Sequence, residues 1–558
     1  GKIFLMAEDD ITISRVVTTS SADKAVDLKS TSGSIFDGGD TGGFDIDVVN
    51  GQLVASGKLF GTVANPLEVR AARTDFSGIE GVSVDLTSVN GITITANATF
   101  TEATTFNADS NFDGLGTFTV NPDITVSTVE SGSAGKQLTI IAADLDLKGY
   151  LNSGSAGISI LATDNRSVGL GDAAGDMTIS GEELQNITAG SLTISGVNAD
   201  GVSVVSDERD EDGRTVVNST TGAGNITVTG VSSTDSSKIG DLILESTKTI
   251  TFSGASSLDS LNAKAKDIAT NAGGSITTTS GSVVMDATTS VTLGGALTSA
   301  GAVNIDSGGT IGINAAASGT TFDIDALGVT TIAGAGDITA SGAVKFGANK
   351  SGTLTTSGDI DTSNDNVTFN RAVTLGGAVD IDTNTGAGNI LFSSTVATGD
   401  NNLSLDAGES GNITLSGALT GGGAMTVRDG KAQSYQALTV DSLNIQDATT
   451  SVTLGGALTS SGAVNIDSGG TIGINAAASG TTFDIDASGV TTIAEAGDIT
   501  ASGSVKFGVD KSGTLTTSGD IDTSNNNVRF NRAVTLGGAV DIDTGSGAGN
   551  ILFSSTVA

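Results

Sequence analysis

The chain of 558 residues contains 79 Gly, two Pro and no Cys, His or Trp, and its formal net charge is −37. Without Cys and His it cannot form disulfides, thiol nucleophiles, Ser-His-Asp triads or thiolate and imidazole zinc sites. The excess of acid excludes nucleic acid as a partner, because phosphate recognition requires clustered Lys and Arg. No stretch approaches the roughly 18 apolar residues of a membrane span, so membrane insertion is not expected.

The first part of the chain, residues 1–285, alternates apolar and polar residues over short stretches. AGDMTIS (174–180) and AGNITVT (223–229) each lead from a Gly-containing turn into such an alternation. This period of two predicts strands with one buried face. We therefore expect β-solenoid coils of irregular length over 1–285. The charged stretch SDERDEDGR (206–214) breaks the pattern and predicts a solvated loop.

The second part, residues 286–558, contains a long internal repeat. Residues 286–397 match 447–558 at a constant offset of 161, and only ten of the 112 positions differ. Each copy holds short alternations such as Val303-Asn-Ile305, separated by Gly- and Ser-rich turns. We refer to 286–397 as the first copy and to 447–558 as the second copy.

The repeat and the short strands together predict an all-β fold, a right-handed parallel β-helix (β-solenoid) that forms an elongated rod. A propeller would need blades with aromatic signatures, which the chain lacks. Coils of about 20 residues give roughly 28 coils in all. The expected inward residues recur unchanged in the second copy, whereas Leu327/Ser488 and Thr368/Arg529 differ in a turn and at an outward position. The expected inward residues of the first copy are Val303, Ile305, Phe322, Ile324, Val367 and Phe369.

Carboxylates are the abundant candidate groups for chemistry. Some β-helix proteins are polysaccharide lyases or hydrolases that act through paired acids or a carboxylate-bound cation. In this chain the acids recur with the coils, which favours solvated strand faces and turn caps, so we predict no catalytic residue. The basic residues Lys345, Lys350, Arg371 and Arg532 are expected to offset local negative charge. The recurring acids of the first copy are Asp323, Asp325, Asp359, Asp361, Asp380 and Asp382.

Calcium is the candidate cofactor. DERDEDG (207–213) has enough acids but not the spacing of an EF-hand loop, and DTSNDN (361–366) reads DTSNNN in the second copy. Stacked outward Asp side chains would also lie about 5 Å apart, so we expect divalent cations to bridge them. The candidate calcium ligands are Asp207, Asp210, Asp212, Asp361 and Asp365.

Two longer stretches carry a family resemblance. GKQLTIIAADLDLKGYLNSGSAGISILATDNRSVGLG (135–171) and ISGEELQNITAGSLTIS (179–195) resemble the large repetitive bacterial surface proteins of the filamentous haemagglutinin-like adhesin class. The resemblance covers essentially the whole chain. It implies a secreted, extracellular fibre at the bacterial cell surface that acts in cell adhesion, aggregation or matrix formation. The secretion module of that class, with its Asn-Pro motifs, is not visible in this chain.

The residues and the resemblance together predict a non-enzymatic structural or adhesive segment of a giant secreted surface protein. The implied partners are further copies, in lateral or end-to-end self-association, and neighbouring cell-surface glycans or proteins. The alternative is a polysaccharide-processing β-helix enzyme or a glycan-binding module, although two Tyr and no Trp leave little to stack on sugars. The chain starts with GKIFLMAEDD and stops where the first copy continues, so we expect a longer protein.

Overall fold

Stacked parallel coils form the structure, a computed structural model. It is nearly all β, with 54% strand against 1% helix, and its coils form a β-solenoid of about 22 turns. The predicted β-solenoid is confirmed, and the expectation of roughly 28 coils was too high because the coils are on average longer than the expected 20 residues. The structure describes residues 1–22, 24–39, 44–57, 69–77, 79–80, 85–95, 97–129, 134–197, 208–209, 215–216, 224–347, 352–508 and 513–558.

The chain divides into two compact units, Gly1–Gly301 and Ala302–Ala558. In the first unit the coils are irregular, and Leu147 contacts Glu183 in the next coil, 36 residues later. The described strands of this unit are Ile3–Ala7, Ile11–Ile13, Val16–Val17, Val26–Ser30, Ile35–Asp37, Ile46–Ser56, Val69–Ser77, Ile79–Glu80, Asp85–Ser88, Ile92–Ile94, Ala98–Thr99, Thr104–Asn107, Thr117–Val120, Thr125–Ser127, Leu138–Ala142, Asp144–Leu147, Tyr150–Asn152, Gly157–Thr163, Val168–Gly171, Met177–Ile179, Ile187–Val197, Glu208–Arg209, Thr215–Val216, Ile226–Thr229, Ile239–Glu245, Thr249–Phe252, Ser256–Leu258, Ser260–Thr270, Ile276–Thr278, Val283–Leu293 and Leu297–Thr298.

A short helix, Gly181–Gln185, interrupts one of these coils. It begins at a capping box, in which the Ser180 side chain accepts a hydrogen bond from the Glu183 N–H and the Glu183 side chain accepts one from the Ser180 N–H. Leu184 is buried and attaches the helix to the solenoid. Glu208–Arg209 belongs to the predicted loop at 206–214 and pairs antiparallel with Thr215–Val216, which follows the loop. The other residues of 206–214 lie outside the described residues.

In the second unit each coil contributes one strand to each of three parallel ladders. Paired strand residues of neighbouring coils lie 18 to 24 apart in the sequence. Ladder 1 consists of Val303–Ser307, Phe322–Ala326, Val344–Phe346, Val367–Phe369, Ile390–Phe392, Ile413–Leu415, Ala432–Tyr435, Ser451–Leu454, Thr471–Ile474, Val490–Ile493, Thr514–Thr517 and Val534–Leu536.

The other two ladders have the same number of strands. Ladder 2 consists of Thr310–Ile313, Thr330–Ile332, Leu354–Thr356, Val373–Leu375, Val396–Gly399, Leu419–Gly421, Leu438–Val440, Leu458–Ser460, Ala478–Gly480, Ile499–Ala501, Ile521–Thr523 and Ile542–Asp543. Ladder 3 consists of Ala317–Gly319, Ile338–Ala340, Ile360–Thr362, Val379–Asp382, Leu403–Asp406, Met425–Asp429, Leu443–Ile445, Ala463–Ser468, Thr482–Ala487, Val505–Phe507, Val528–Phe530 and Ile551–Phe553.

The alternating apolar residues fill the space between the ladders. All six predicted inward residues of the first copy are buried, with exposed fractions of 0–1%. Identical side chains stack on each other from coil to coil. The rings of Phe346 and Phe369 lie 5.2 Å apart and those of Phe369 and Phe392 lie 4.4 Å apart, nearly parallel in both pairs. Such pairs add about 0.5–1.5 kcal/mol beyond the burial of their area.

The two copies of the repeat do not lie on the same ladders. Phe322 is in ladder 1, but its equivalent in the second copy, Phe483, is in ladder 3. Likewise Ile338 is in ladder 3 and its equivalent Ile499 in ladder 2. The offset of 161 residues therefore spans seven complete coils and two further strands. Each face of the first copy is repeated on a different face of the second.

Candidate functional site

Outward aspartates stack in a first column on the face of ladder 3. The Asp337 Oδ1 accepts a hydrogen bond from the N–H of Asp359 (3.0 Å), and the Asp359 Oδ1 accepts one from the N–H of Asp380 (2.8 Å). Each carboxylate thus satisfies a backbone donor of the following coil, which fits the predicted role of a turn cap. The equivalent residues of the second copy, Asp498, Asp520 and Asp541, form the same two bonds on ladder 2.

A second column on ladder 3 brings like charges into direct register. Asp361 pairs with Asp382, and Asp382 pairs with Asp406 in the next coil. Partial desolvation by the neighbouring coils raises the pKa of Asp361, although the residue as a whole is exposed, and the negative charges of Asp382, Asp359 and other neighbours raise it further. Stacked strands lie about 4.8 Å apart, where two like charges repel by about 1 kcal/mol even in bulk water. In the second copy Asp522 pairs with Asp543 and its pKa is raised by the same causes.

Arg428 spans these two columns. Its Nη2 lies 2.8 Å from Asp380 and 3.5 Å from Asp382, and its Nε lies 3.2 Å from Asp406. Burial opposes the charge of Arg428, but the three carboxylates outweigh this effect and raise its pKa. The side chain is 36% exposed, so each contact is partly screened by solvent. The arginine offsets the repulsion at one end of the acidic columns.

The predicted calcium ligands Asp361 and Asp365 are both exposed. Thr362 donates a hydrogen bond from Oγ1 to the Asp365 carbonyl oxygen (2.6 Å), and Thr523 makes the same bond to Asn526 in the second copy. The turn therefore forms with either Asp or Asn at this position. The described residues contain no group of three or more Asp, Glu, His or Cys side chains that could hold a metal ion. The remaining candidates lie outside the described residues, namely Asp207, Asp210 and Asp212.

Lys345 lies between Asp323 and Thr368 on the outer side of ladder 1. The register thus places Lys345 next to an acid, and its role in offsetting negative charge stays a prediction. In the second copy Lys506 likewise lies beside Asp484. Lys350 lies outside the described residues.

Arg371 forms a buried ion pair. Its Nη2 donates to the Asp325 Oδ1 (2.8 Å) and its Nη1 to the Thr330 Oγ1 (3.1 Å), and the side chains of Arg371 and Asp325 are each 1% exposed. Burial lowers the pKa of Arg371 and outweighs the opposing effect of Asp325. The expectation that Asp325 is solvated was wrong, because Asp325 lies among the three buried residues that end Phe322–Ala326 and pairs there with Arg371.

The second copy contains the same ion pair. The Arg532 Nη2 donates to the Asp486 Oδ1 (2.8 Å) and its Nη1 to the Thr491 Oγ1 (3.2 Å). In the first copy the Arg371 guanidinium lies against the backbone of Gly347, which has a positive φ of 72°. A Cβ at Gly347 would collide with the guanidinium, so glycine is required there for conformation and for space.

An open groove on ladder 3 is lined by acidic and polar side chains. Its polar lining consists of Asp359, Asp380, Asn402, Ser404 and Thr426. These carboxylates already cap backbone donors or contact Arg428. The groove is shallow and offers hydrogen-bonding groups without an aromatic ring in its lining.

A buried carboxylate in the first unit was missed by the sequence-based predictions. Asp109 is 0% exposed, and its Oδ2 accepts a hydrogen bond from the Thr163 Oγ1 (2.5 Å). Burial raises the pKa of Asp109 despite this bond. The signal in the sequence was the spacing Asp109-x-Asn111-x-Asp113-Gly, which is that of an EF-hand loop at its start.

The fold and these surfaces were compared with known proteins. Comparison with family models, curated proteins and solved structures found no significant match. None of the described helices has the length and apolar character of a membrane span. A functional proposal therefore depends on the surfaces described above and on the resemblance of the sequence.

Proposed function

We propose that this chain is a non-enzymatic structural or adhesive segment of a secreted bacterial surface fibre, similar to the filamentous haemagglutinin-like adhesins. The observation that carries the proposal is the displacement of the two copies by one ladder. Near the start of the first copy, outward side chains project to solvent from ladder 1. The equivalent side chains of the second copy project to solvent from ladder 3. The chain therefore carries the same surface twice, and the two copies of that surface point in different directions.

This arrangement supports bridging between partners. Two equal binding surfaces on one face would hold one extended partner more tightly through effective concentration. Equal surfaces on different faces can instead contact two partners at once, which is what a matrix or an aggregate requires. The partners are further copies of the chain or the glycans and proteins of neighbouring cells. The recurrence of the same acids on both faces favours a repeated contact surface over a singular catalytic centre.

A bead assay tests the proposal. Fluorescent beads coated with the 558-residue protein are mixed with bacterial cells, with beads carrying cell-surface glycans or with further coated beads, and binding and clustering are scored separately. Two matched variants remove outward charge from one copy each, Asp361→Asn/Asp382→Asn and Asp522→Asn/Asp543→Asn. The proposal expects each variant to keep binding but to lose most of the clustering. Equal loss of both readouts in one variant alone, or no binding to any partner, would contradict it.

The groove beside Asp359 and Asp380 is the feature that favours the alternative, a polysaccharide-processing enzyme or a glycan-binding module. Incubation with a broad panel of polysaccharides separates these functions. We expect no release of reducing ends or unsaturated products. Turnover that is lost in Asp380→Asn would replace the fibre proposal with the enzymatic one.

A further inference from the structure

A loop in the first unit carries oxygen-bearing side chains at alternate positions. Asp109, Asn111 and Asp113 are followed by Gly114. This is the spacing of the first six residues of an EF-hand calcium loop, in which the sixth residue is a glycine that allows a sharp turn. The spacing by itself does not make a binding site, so the inference depends on the geometry of the loop.

The decisive feature is a carboxylate oxygen without a partner. Asp109 is 0% exposed, and its Oδ2 accepts hydrogen bonds from the Thr163 Oγ1 (2.5 Å) and from the N–H of Gly114 (3.1 Å). The bond from Gly114 crosses the loop, so the carboxylate lies on its inner side. The other oxygen, Oδ1, is also buried and accepts no hydrogen bond. Burying an acceptor without a donor or cation is unfavourable, so this oxygen is a point at which a bound cation would be stabilised.

The backbone curves around the same point. Phe112 and Gly114 both have left-handed conformations, with φ of 56° and 78°. The Asp113 Oδ1 accepts a hydrogen bond from the N–H of Leu115 (3.0 Å), and its Oδ2 lies 2.7 Å from the Asn111 amide nitrogen. The nitrogen and oxygen of an amide are assigned from their partners, and a cation would favour the opposite orientation of Asn111. The same tight turn therefore carries Asp109, Asn111 and Asp113.

We propose that residues 109–115 bind one calcium ion. Its ligands are the Asp109 Oδ1, the carboxylate of Asp113, the side-chain oxygen of Asn111 and the carbonyl oxygen of Leu115. Water completes the six to eight oxygen ligands that calcium prefers. The loop has two carboxylates, which is fewer than the three acidic, His or Cys side chains of the metal-binding groups considered above. Its remaining ligands are amide and carbonyl oxygens, which calcium also accepts.

The comparison with an EF-hand loop also predicts how tightly residues 109–115 bind calcium. An EF-hand loop ends with a bidentate Glu at its twelfth position, which is Val120 in this chain and is buried in the core. Arg166 also contacts the loop, although its Nη1 donates to the carbonyl oxygen of Gly114 (3.0 Å) and not to a carboxylate. The site therefore belongs to the weak class, with a dissociation constant of about 10⁻⁴–10⁻³ M, as in extracellular modules.

Hydrogen exchange of the full chain tests the proposal. Chelator-treated protein is compared in CaCl₂ and in MgCl₂ at equal ionic strength, and exchange is followed by mass spectrometry in peptides that cover 104–120. At free calcium of ten times the dissociation constant, we expect exchange in this segment to slow about tenfold. Magnesium should have a much smaller effect, because it demands rigid octahedral geometry.

Two variants and one control complete the experiment. Asp113→Asn changes an exposed side chain, so it should fold normally and lose the calcium effect. Asp109→Asn tests the buried ligand directly, and Glu8→Gln removes an exposed carboxylate elsewhere in the same unit and should keep the effect. The proposal is overturned if calcium leaves 104–120 unchanged, if magnesium acts equally, or if Asp113→Asn retains the response.

Discussion

The buried ion pair between Arg371 and Asp325 gives the sharpest test of the packing. Replacing Arg371 with Met keeps much of the side-chain volume but removes the guanidinium that lies 2.8 Å from the Asp325 carboxylate. Breaking a buried pair by removing one partner costs about 3–5 kcal/mol, because a buried charge loses its compensation. A loss of 3 kcal/mol corresponds to about a 150-fold change in an equilibrium constant.

Hydrogen exchange can measure this loss locally. A solenoid unfolds approximately as a sum of coils, so the effect should concentrate in Phe322–Ala326 and the adjacent strands. The equivalent pair, Arg532 with Asp486, is an internal control, and Leu327/Ser488 distinguishes the peptides of the two copies by mass. We expect Arg371→Met to accelerate exchange at least 100-fold in the first copy and to leave the second copy unchanged.

A double variant separates loss of the charge pair from loss of packing. In Asp325→Asn/Arg371→Met neither partner is charged, so the uncompensated buried charge that makes a broken pair costly is absent. Most of the lost protection should therefore return. The reasoning is refuted if Arg371→Met changes exchange less than about fivefold, or if the double variant is no better protected than the single one.

Two further predictions concern charge and glycine. Asp361→Asn should raise the free energy of unfolding at pH 7 by about 0.5–1 kcal/mol, since partial desolvation and the acidic neighbours make ionisation of this solvent-screened residue unfavourable. A raised carboxyl pKa destabilises the fold as the pH rises through it, so the gain should fall as the pH is lowered and vanish below pH 3.8 in melting curves, and a gain independent of pH would contradict this origin. Gly347→Ala should cost about 1–3 kcal/mol through its positive φ and its clash with Arg371. Gly334→Ala, at a position where the second copy has Glu, should change the denaturation midpoint little, and equal effects of the two glycine variants would be inconsistent with this reasoning.

The inward residues could be predicted because they depend on a local period of two. Val367 and Phe369 point inward, and the intervening Thr368 is replaced by Arg529 in the second copy without disturbing the core. The displacement of the copies could not be predicted in this way. It depends on the exact number of strands between equivalent residues, and each turn between strands adds its own length.

Some of the site residues could likewise be predicted from the sequence and others could not. The outward Asp columns follow from alternation, and their role as caps follows from the turn residues beside them. The burial of Asp325 departs from the alternation of Phe322–Ala326 and depends on its pairing with Arg371, 46 residues later, which alternation alone does not encode. Asp109 was detectable from its spacing to Asn111 and Asp113, but only the structure shows that one of its oxygens is buried without a donor.

Disulfide trapping tests the displacement of the copies most directly, because the natural chain has no Cys. Asn465 of the second copy stacks on Asn444 in ladder 3, whereas Ser434 stacks on Thr453 in ladder 1. Stacked outward positions lie about 4.8 Å apart, which is within reach of a disulfide. We expect Asn444→Cys/Asn465→Cys and the control Ser434→Cys/Thr453→Cys to oxidise readily, and Ser434→Cys/Asn465→Cys to remain reduced. Ready oxidation of this last pair, with none in the first, would place the second copy on the same ladder as the first and contradict the account.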